Sequence, residues 1–137
     1  MRATPSASAT RPQRWFSALT RWRLCSQWCH GGVVLDGDLL HSNRAHGLHR
    51  VPAADWEPHK WHLIDLGSAR DAQVATLFDV WEGTAYDVLG VLGFALPIGG
   101  DQHRLYCFEW CALAMGIPHA QWMTPERLLL HALKNKA

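Results

Sequence analysis

The hydrophobic pattern in the first half of the chain is that of a β-sheet. Apolar residues come in short runs separated by turn-forming residues, which is typical of strands. The runs at residues 33–35 and 39–40 flank Asp36-Gly37, a strong signal for a hairpin with a two-residue turn. Two further strands are predicted, at residues 47–51 and 61–66.

From Ser68 onwards the apolar residues follow helical spacing instead. Ser68, with Asp71 three residues later, predicts the N-cap of a helix that runs to about Glu82. Thr84 opens a second helical segment, YDVLGVLGFAL. Two more helices are predicted, from Tyr106 to Met115 and from Thr124-Pro125 towards the C-terminus. A block of strands followed by a block of helices predicts the α+β class.

The length of 137 residues suits a single domain. Residues 1–13 are mostly small and polar and predict a disordered lead-in, so residues 14–137 are expected to form the domain. Within it, residues 15–23 have helical spacing and an arginine face. No apolar run approaches the roughly 18 residues that span a membrane, and no secretory signal is recognisable. We therefore expect a cytoplasmic protein with no integral membrane segment.

Composition and charge narrow the classes of partner. Apolar residues make up 48% of the chain, enough for one core, and the formal net charge of +1 provides no strong field to attract nucleic acid. Five arginines precede the first acidic residue, Asp36, and are interpreted as a solvated helix face. No nucleic-acid partner is expected, and the oligomeric state is left open.

Cys107 is the best candidate for a nucleophile. It lies in the predicted first turn of a helix, where free N–H groups and the helix dipole stabilise a thiolate. The thiolate is the reactive form of cysteine, so this is the setting that a cysteine nucleophile needs. The alternative for Cys107 is a buried structural cysteine. Cys111, one turn further on, is interpreted as part of the core.

The predicted hairpin brings candidate bases together. A two-residue turn sets His30 opposite Asn43, and side-chain alternation then places His30, His41 and Asn43 on one face. A three-residue turn would instead put His41 on the other face. His30 is the candidate base, and either His41 or Asn43 could orient its ring. Gly31 and Gly32 follow His30, and glycines in a strand often mark close approach of another element. The helix of Cys107 could pack there.

A metal site is the main rival use of these residues. Cys25, Cys29, Cys107 and Cys111 form two pairs, but each has three intervening residues where structural zinc sites usually have two. Two loose histidine groups lack a defined ligand spacing and are interpreted as structural or solvent-exposed. These groups are His41, His46 and His49, and His59 and His62. We expect no metal and no cofactor.

At these residues the chain resembles a known family. The segments CHGGVVLDGDLLHSNRAHGL, YDVLGVLGF, LYCFEWCALAMG and MTPERLLLHAL occur in the order found in circularly permuted NlpC-like, papain-fold cysteine hydrolases. That group includes YaeF/YiiX-like hydrolases and lecithin:retinol acyltransferase-like enzymes, with similar small proteins in bacteria and bacteriophages. The resemblance covers roughly residues 16–133. It implies a small, curved antiparallel sheet packed against the helix that carries the nucleophile.

The resemblance also implies residue roles. The catalytic cysteine falls on Cys107, the catalytic histidine on His30 and the third, polar residue on His41. Phe108 replaces the usual serine after the nucleophile, and Cys29 replaces the serine or threonine before the histidine. The family's glutamate falls on Glu109 and its "Tyr-Asp" motif on Tyr86 and Asp87, and all three are interpreted as scaffold.

The resulting hypothesis is a thiol-dependent amidase or peptidase that acts through a thiolate–imidazolium pair of Cys107 and His30. Its substrate would be a peptide, with cell-wall peptides as the suggestion. The same site would suit a thioesterase or acyltransferase acting on lipid-like acyl groups. A third alternative is a catalytically inactive binding or structural module, for instance in a phage particle. The residues alone do not separate amide from ester chemistry, because both proceed through a thioacyl intermediate.

Overall fold

A computed structural model of the protein describes residues 2–3, 28, 30–88 and 103–135. Its sheet is antiparallel, with three longer strands extended on one side by two short ones. The strands are β1 (Arg2–Ala3), β2 (Gly31–Leu35), β3 (Asp38–Asn43), β4 (Gly47–Val51) and β5 (His62–Leu63). They lie side by side in the order β4-β3-β2-β1-β5.

The hairpin turn between β2 and β3 has the predicted form. Asp36 and Gly37 both adopt positive φ, at 51° and 89°, as a type I′ turn requires. Leu35 then pairs with Asp38, and the register continues through Val33 and Leu40. The two-residue turn is therefore confirmed, and it fixes which side chains share a face of the sheet.

Three α-helices follow the sheet within the described residues: α1 (Asp71–Trp81), α2 (Cys107–Ala114) and α3 (Pro125–Lys134). The predicted cap of α3 is confirmed, because the Thr124 hydroxyl accepts a hydrogen bond of 3.3 Å from the Arg127 amide. The predicted cap of α1 is wrong. Arg70 occupies that position, and Ser68 contributes only its carbonyl oxygen, which accepts from the Asp71 amide at 3.1 Å.

The core lies between the sheet and α2. Trp110 and Cys111 are fully buried, and the Trp110 indole donates a hydrogen bond of 3.1 Å to the Leu40 carbonyl of β3. Phe78 of α1 meets the Trp110 ring edge-on at 6.0 Å between centroids. These contacts hold α2 against the sheet, and the α+β class is confirmed.

The strand predicted at residues 61–66 is shorter than expected. The observed strand, β5, pairs only with the two residues of β1. After it, the Asp65 carboxylate accepts a hydrogen bond from the Gly67 amide, and this local turn ends the extended segment. β1 itself lies inside the predicted disordered lead-in, because Arg2 and Ala3 find partners on both sides. The helix predicted at residues 15–23 and most of the segment after Thr84 lie outside the described residues.

Across the described part of the chain, no helix combines the length and the apolar character needed to cross a bilayer.

Candidate active site

Cys107 is the first residue of α2, as the sequence predicts, and its side chain is buried. The preceding residue, Tyr106, has extended backbone, so the chain enters the helix abruptly at the cysteine. The Tyr86 hydroxyl is hydrogen-bonded to the Cys107 thiol. Burial, followed by the neighbouring Cys107, raises the pKa of Tyr86 well above its usual value. Tyr86 therefore touches the candidate nucleophile, although the sequence suggested only a scaffold role.

Two different segments hold the chain just before Cys107. The Leu105 amide donates to the Ala85 carbonyl at 3.1 Å, which brings the segment containing Tyr86 alongside. The Ser42 hydroxyl of β3 donates to the Leu105 carbonyl at 2.7 Å. Ser42 is fully buried, and a buried hydroxyl without a partner would be costly. These bonds fix the start of α2 relative to the sheet.

His30 and His41 are joined by a short hydrogen bond. His30 Nε2 lies 2.6 Å from His41 Nδ1, so one of the two nitrogens carries the proton and the other accepts it. Asn43 is engaged elsewhere, since its Oδ1 accepts from the Ala45 and His46 amides at 2.9 Å each. Of the two predicted orienting groups, it is His41 that contacts His30.

Both imidazoles of this pair are neutral at pH 7. Burial, and then the nearby His49, lowers the pKa of His30 to about 4. Burial, and then His30, His49 and His46, lowers the pKa of His41 to about 3. The Trp61 ring adds to this enclosure, with its centroid 5.7 Å from that of His30 and 6.3 Å from that of His41. A neutral imidazole can accept a proton, so the pair has the charge state of a general base.

The histidines continue beyond this pair. The rings of His41 and His49 lie 4.5 Å apart and those of His49 and His46 lie 5.1 Å apart. We call His30, His41, His46 and His49 the histidine cluster. The sequence placed His30 beside His41 and, separately, grouped His41 with His46 and His49. The pairing of β3 with β4 sets His49 opposite His41 and joins the two sets. Among the described residues, no group of three or more potential ligands has the geometry of a metal site.

The glycines after His30 show how the sheet meets α2. A Cβ on Gly31 would lie 3.1 Å from the Phe108 ring and 3.3 Å from Cys111 Sγ, so Gly31 faces the helix. A Cβ on Gly32 would lie 3.1 Å from His41 Cβ, so Gly32 faces the opposite side, as His30 does. The predicted packing of the cysteine helix at the glycines is confirmed.

His30 and Cys107 therefore lie at the same end of the sheet. His30 immediately precedes β2, and Ser42, at the far end of β3, binds the residue two positions before Cys107. Successive side chains along β2 point to opposite faces of the sheet, and Gly31 faces α2. The His30 ring is therefore directed to the face opposite α2. Contact between the Cys107 sulfur and the His30 ring stays a prediction.

The other groups near Cys107 have structural surroundings. Phe108 is buried against Gly31, and burial raises the pKa of the Cys111 thiol far above its usual value, in keeping with its predicted place in the core. Burial also raises the pKa of Glu109 to about 7, with Tyr106 and Asp87 nearby. Cys25 and Cys29 lie outside the described residues.

A cavity of about 500 Å³ lies at the opposite end of α2. Its walls include apolar residues of β2 and α1, and its rim includes charged and polar side chains. The apolar residues include Val33, Ile64, Val74 and Met115, and the polar ones include Arg70, Asp71 and His131. Seven residues of helix, about 10 Å, separate Cys107 from Ala114 at the cavity wall. The cavity is thus separate from the candidate nucleophile.

Comparison of the chain with known protein families, with characterised proteins and with solved structures finds no match. The function is therefore inferred from the side chains and distances of the site.

Proposed function

We propose that this protein is a cysteine-dependent hydrolase in which Cys107 is the nucleophile, His30 the base and His41 the residue that orients the base. The hydrogen bond between His30 Nε2 and His41 Nδ1 is the observation that carries the proposal. A base that acts through one nitrogen needs its other nitrogen held. Because His41 engages Nε2, Nδ1 is the atom that would accept the thiol proton.

The proposed reaction begins from a neutral thiol and a neutral imidazole. It differs in this from the thiolate–imidazolium pair expected from the sequence, because burial lowers the pKa of His30 to about 4. His30 accepts the thiol proton while the sulfur attacks the carbonyl carbon and forms an S–C bond. The C–N bond then breaks, and His30 gives its proton to the departing amine. Water attacks the thioester with His30 again as base, which releases the acid and restores the thiol. The Cys107 backbone N–H, at the helix start, is the proposed oxyanion donor.

The arrangement of elements supports a permuted papain-like fold for this chain. The hairpin carrying His30 and His41 precedes the cysteine helix, that helix packs on the antiparallel sheet, and a Thr-Pro step opens the last helix. The order matches the resemblance found in the sequence.

Amide hydrolysis of a short peptide is the proposed reaction, with cell-wall stem peptides as the suggested substrate in a bacterial or phage context. Phe108, the residue that could have indicated an acyl-binding pocket, is buried against Gly31 and is not among the residues that line the cavity of about 500 Å³. The 500 Å³ cavity would not serve an acyl chain on Cys107, because the contact of Phe108 and Cys111 with β2 lies between them. Both observations favour a peptide over a lipid-like acyl group.

A non-catalytic binding module is the second candidate. The orientation of Gly31 towards α2, with His30 directed to the other face, favours it. In that case Cys107 would be a structural residue held by Tyr86. The His30–His41 pair would belong to the sheet face opposite α2 and would have no role in catalysis.

Alkylation of the intact protein tests the proposal. We expect iodoacetamide at pH 6 to modify Cys107 at least tenfold faster than Cys111, with sites assigned by peptide mass. The His30→Gln variant should lose this selectivity, whereas His59→Gln, at an exposed histidine, should keep it. Equal labelling of all cysteines in folded protein would favour the binding module.

A substrate panel then separates the reaction classes. Peptidoglycan fragments, short- and long-chain thioesters and phospholipids are incubated with the protein, with Cys107→Ala as the control. Release of amines from the fragments is expected. Turnover of the esters alone, dependent on Cys107, would replace the amidase by a thioesterase or acyltransferase.

A further inference from the structure

The cavity of about 500 Å³ has the size of a site for a small molecule, because such sites usually measure about 300–1,000 Å³. It lies where β2, β5 and α1 meet the C-terminal ends of α2 and α3. Apolar side chains form the larger part of its wall, among them Val33, Ile64, Val74 and Met115. A wall of this kind holds the hydrocarbon body of a ligand, and the few polar groups at the rim then select its polar end.

The guanidinium group of Arg70, at this rim, is already engaged with the end of α2. Its Nε donates a hydrogen bond of 3.1 Å to the Ala114 carbonyl. A Cβ on Gly116 would lie 2.6 Å from the guanidinium, so the group packs against bare backbone at that position. The C-terminus of a helix carries a partial negative charge, which a cation there balances. The charge of Arg70 is therefore partly balanced within the protein itself.

Two carboxylates at the rim oppose this one guanidinium. Asp65 and Asp71 both line the cavity, and within the part of the chain that the structure describes neither forms an ion pair. The Gly67 amide donates a hydrogen bond of 2.9 Å to Asp65 Oδ1, which fixes that carboxylate at the cavity. Asn135 adds an amide oxygen, since its Nδ2 donates to the His131 carbonyl at 2.8 Å and Oδ1 is an acceptor. The rim therefore favours a ligand with a positive charge.

We propose that this cavity is a binding site for a small amphipathic amine, with the hydrocarbon part against the apolar wall and the ammonium group at Asp65 and Asp71. The two carboxylates and the Asn135 amide oxygen would accept the hydrogen bonds of the ammonium group. A carboxylate ligand would instead meet two like charges, and Arg70 would have to leave the end of α2 to compensate them. The cavity is separate from Cys107, so this inference goes beyond the proposed hydrolase function and does not depend on it.

Three probes with the same apolar body test the class of ligand. Phenylbutylamine, phenylbutanol and phenylbutyrate are titrated into the full-length protein at pH 7, and binding is followed by the methyl NMR resonances of Val33, Ile64 and Val74. The amine should bind about tenfold more tightly than the carboxylate, with the alcohol between them, because the two ligand charges interact with the rim in opposite senses. The methyl resonances of Val80, which is largely exposed on α1 and does not line the cavity, should not shift.

Replacement of the carboxylates locates the ammonium group. Asparagine has the size of aspartate, and at position 65 it keeps an oxygen for the Gly67 amide. The combined variant Asp65→Asn, Asp71→Asn should bind the amine no more tightly than the alcohol. Asp79→Asn, at an exposed residue of α1 outside the cavity wall, should keep the wild-type affinity. If the combined variant fails to fold, the comparison of the three probes on the wild type still decides the question.

The inference is overturned by equal or tighter binding of the carboxylate, by methyl resonances of the cavity that do not shift, or by a folded combined variant that keeps its preference for the amine. Cys107→Ala should bind the amine as the wild type does. A protein with an unreactive Cys107 that still binds the amine in this cavity would end the hydrolase proposal and leave the amine site supported.

Discussion

The hydroxyl of Ser42 donates a hydrogen bond of 2.7 Å to the carbonyl oxygen of Leu105. Ser42 belongs to the strand that also carries His41, and Leu105 lies two residues before Cys107. This bond ties the strand of the proposed orienting residue to the start of the nucleophile's helix. It adds to the hydrogen bond from the Trp110 indole to Leu40 of the same strand in fixing the relative position of the two halves of the site.

The Ser42→Ala variant should therefore lose both stability and thiol reactivity. The Leu105 carbonyl would keep only the longer hydrogen bond of 3.4 Å from the Asp87 amide. The loss of one net hydrogen bond typically costs about 1 kcal/mol in free energy of unfolding. Urea denaturation measures the loss, and the alkylation rate of Cys107 should fall with it. Ser68→Ala, at an exposed serine, is the matched control and should change neither quantity.

The Gly31→Ala variant tests the packing of α2 on β2. The added methyl group would lie 3.1 Å from the Phe108 ring and 3.3 Å from Cys111 Sγ, so these two buried side chains would have to shift by a few tenths of an ångström. We expect a destabilisation of about 1 kcal/mol, as is usual for overpacking. Combining it with Phe108→Leu should recover part of the loss. If the two substitutions are additive in a double-mutant cycle, Phe108 is not the residue that Gly31 contacts.

Tyr86→Phe removes the hydrogen bond to the Cys107 thiol. A hydroxyl that donates to sulfur stabilises the thiolate, so the alkylation rate at pH 7 should fall roughly tenfold. Tyr106→Phe is the matched control, because the Tyr106 hydroxyl donates to the Met123 carbonyl at 3.0 Å. It should lower stability and leave the pH dependence of alkylation unchanged. Equal effects of both variants on alkylation would count against a specific role for Tyr86.

Stability should fall on acidification because of the histidine pair. The pKa of His30 is lowered to about 4 and that of His41 to about 3, from 6.5 in the unfolded chain. Between pH 6.5 and these lowered pKa values, the unfolded state binds more protons than the folded state. The stability that the neutral pair contributes is therefore fully present above pH 6.5 and is lost as the pH falls towards 4 and 3. The shift of the His30 pKa alone corresponds to about 3 kcal/mol in free energy of unfolding, at about 1.4 kcal/mol per pKa unit, and urea titrations at several pH values measure the loss. His30→Gln should flatten this dependence, and an unchanged slope would contradict the assigned burial.

Several features of the site were predictable from the sequence because they depend on neighbours along the chain. Asp36-Gly37 determined a two-residue turn, since these residues accept positive φ, and the turn alone determined that His30 and His41 share a face. Helical spacing and the Thr124-Pro125 step determined α3 and its cap. Helical spacing also predicted α2, with Cys107 in its first turn.

Only the tertiary structure decided which groups meet across long separations. The choice of His41 over Asn43 depended on the Asn43 side chain binding its own turn. The contact of Tyr86 with Cys107 depended on the backbone bond between Leu105 and Ala85, and the approach of His49 on the pairing of β4 with β3. At Ser68 the predicted side-chain cap is replaced by a backbone turn, in which the Asp71 amide donates to the Ser68 carbonyl. Local patterns fix periodicity and turns, whereas packing of distant segments decides burial, and burial is what keeps the histidine pair uncharged.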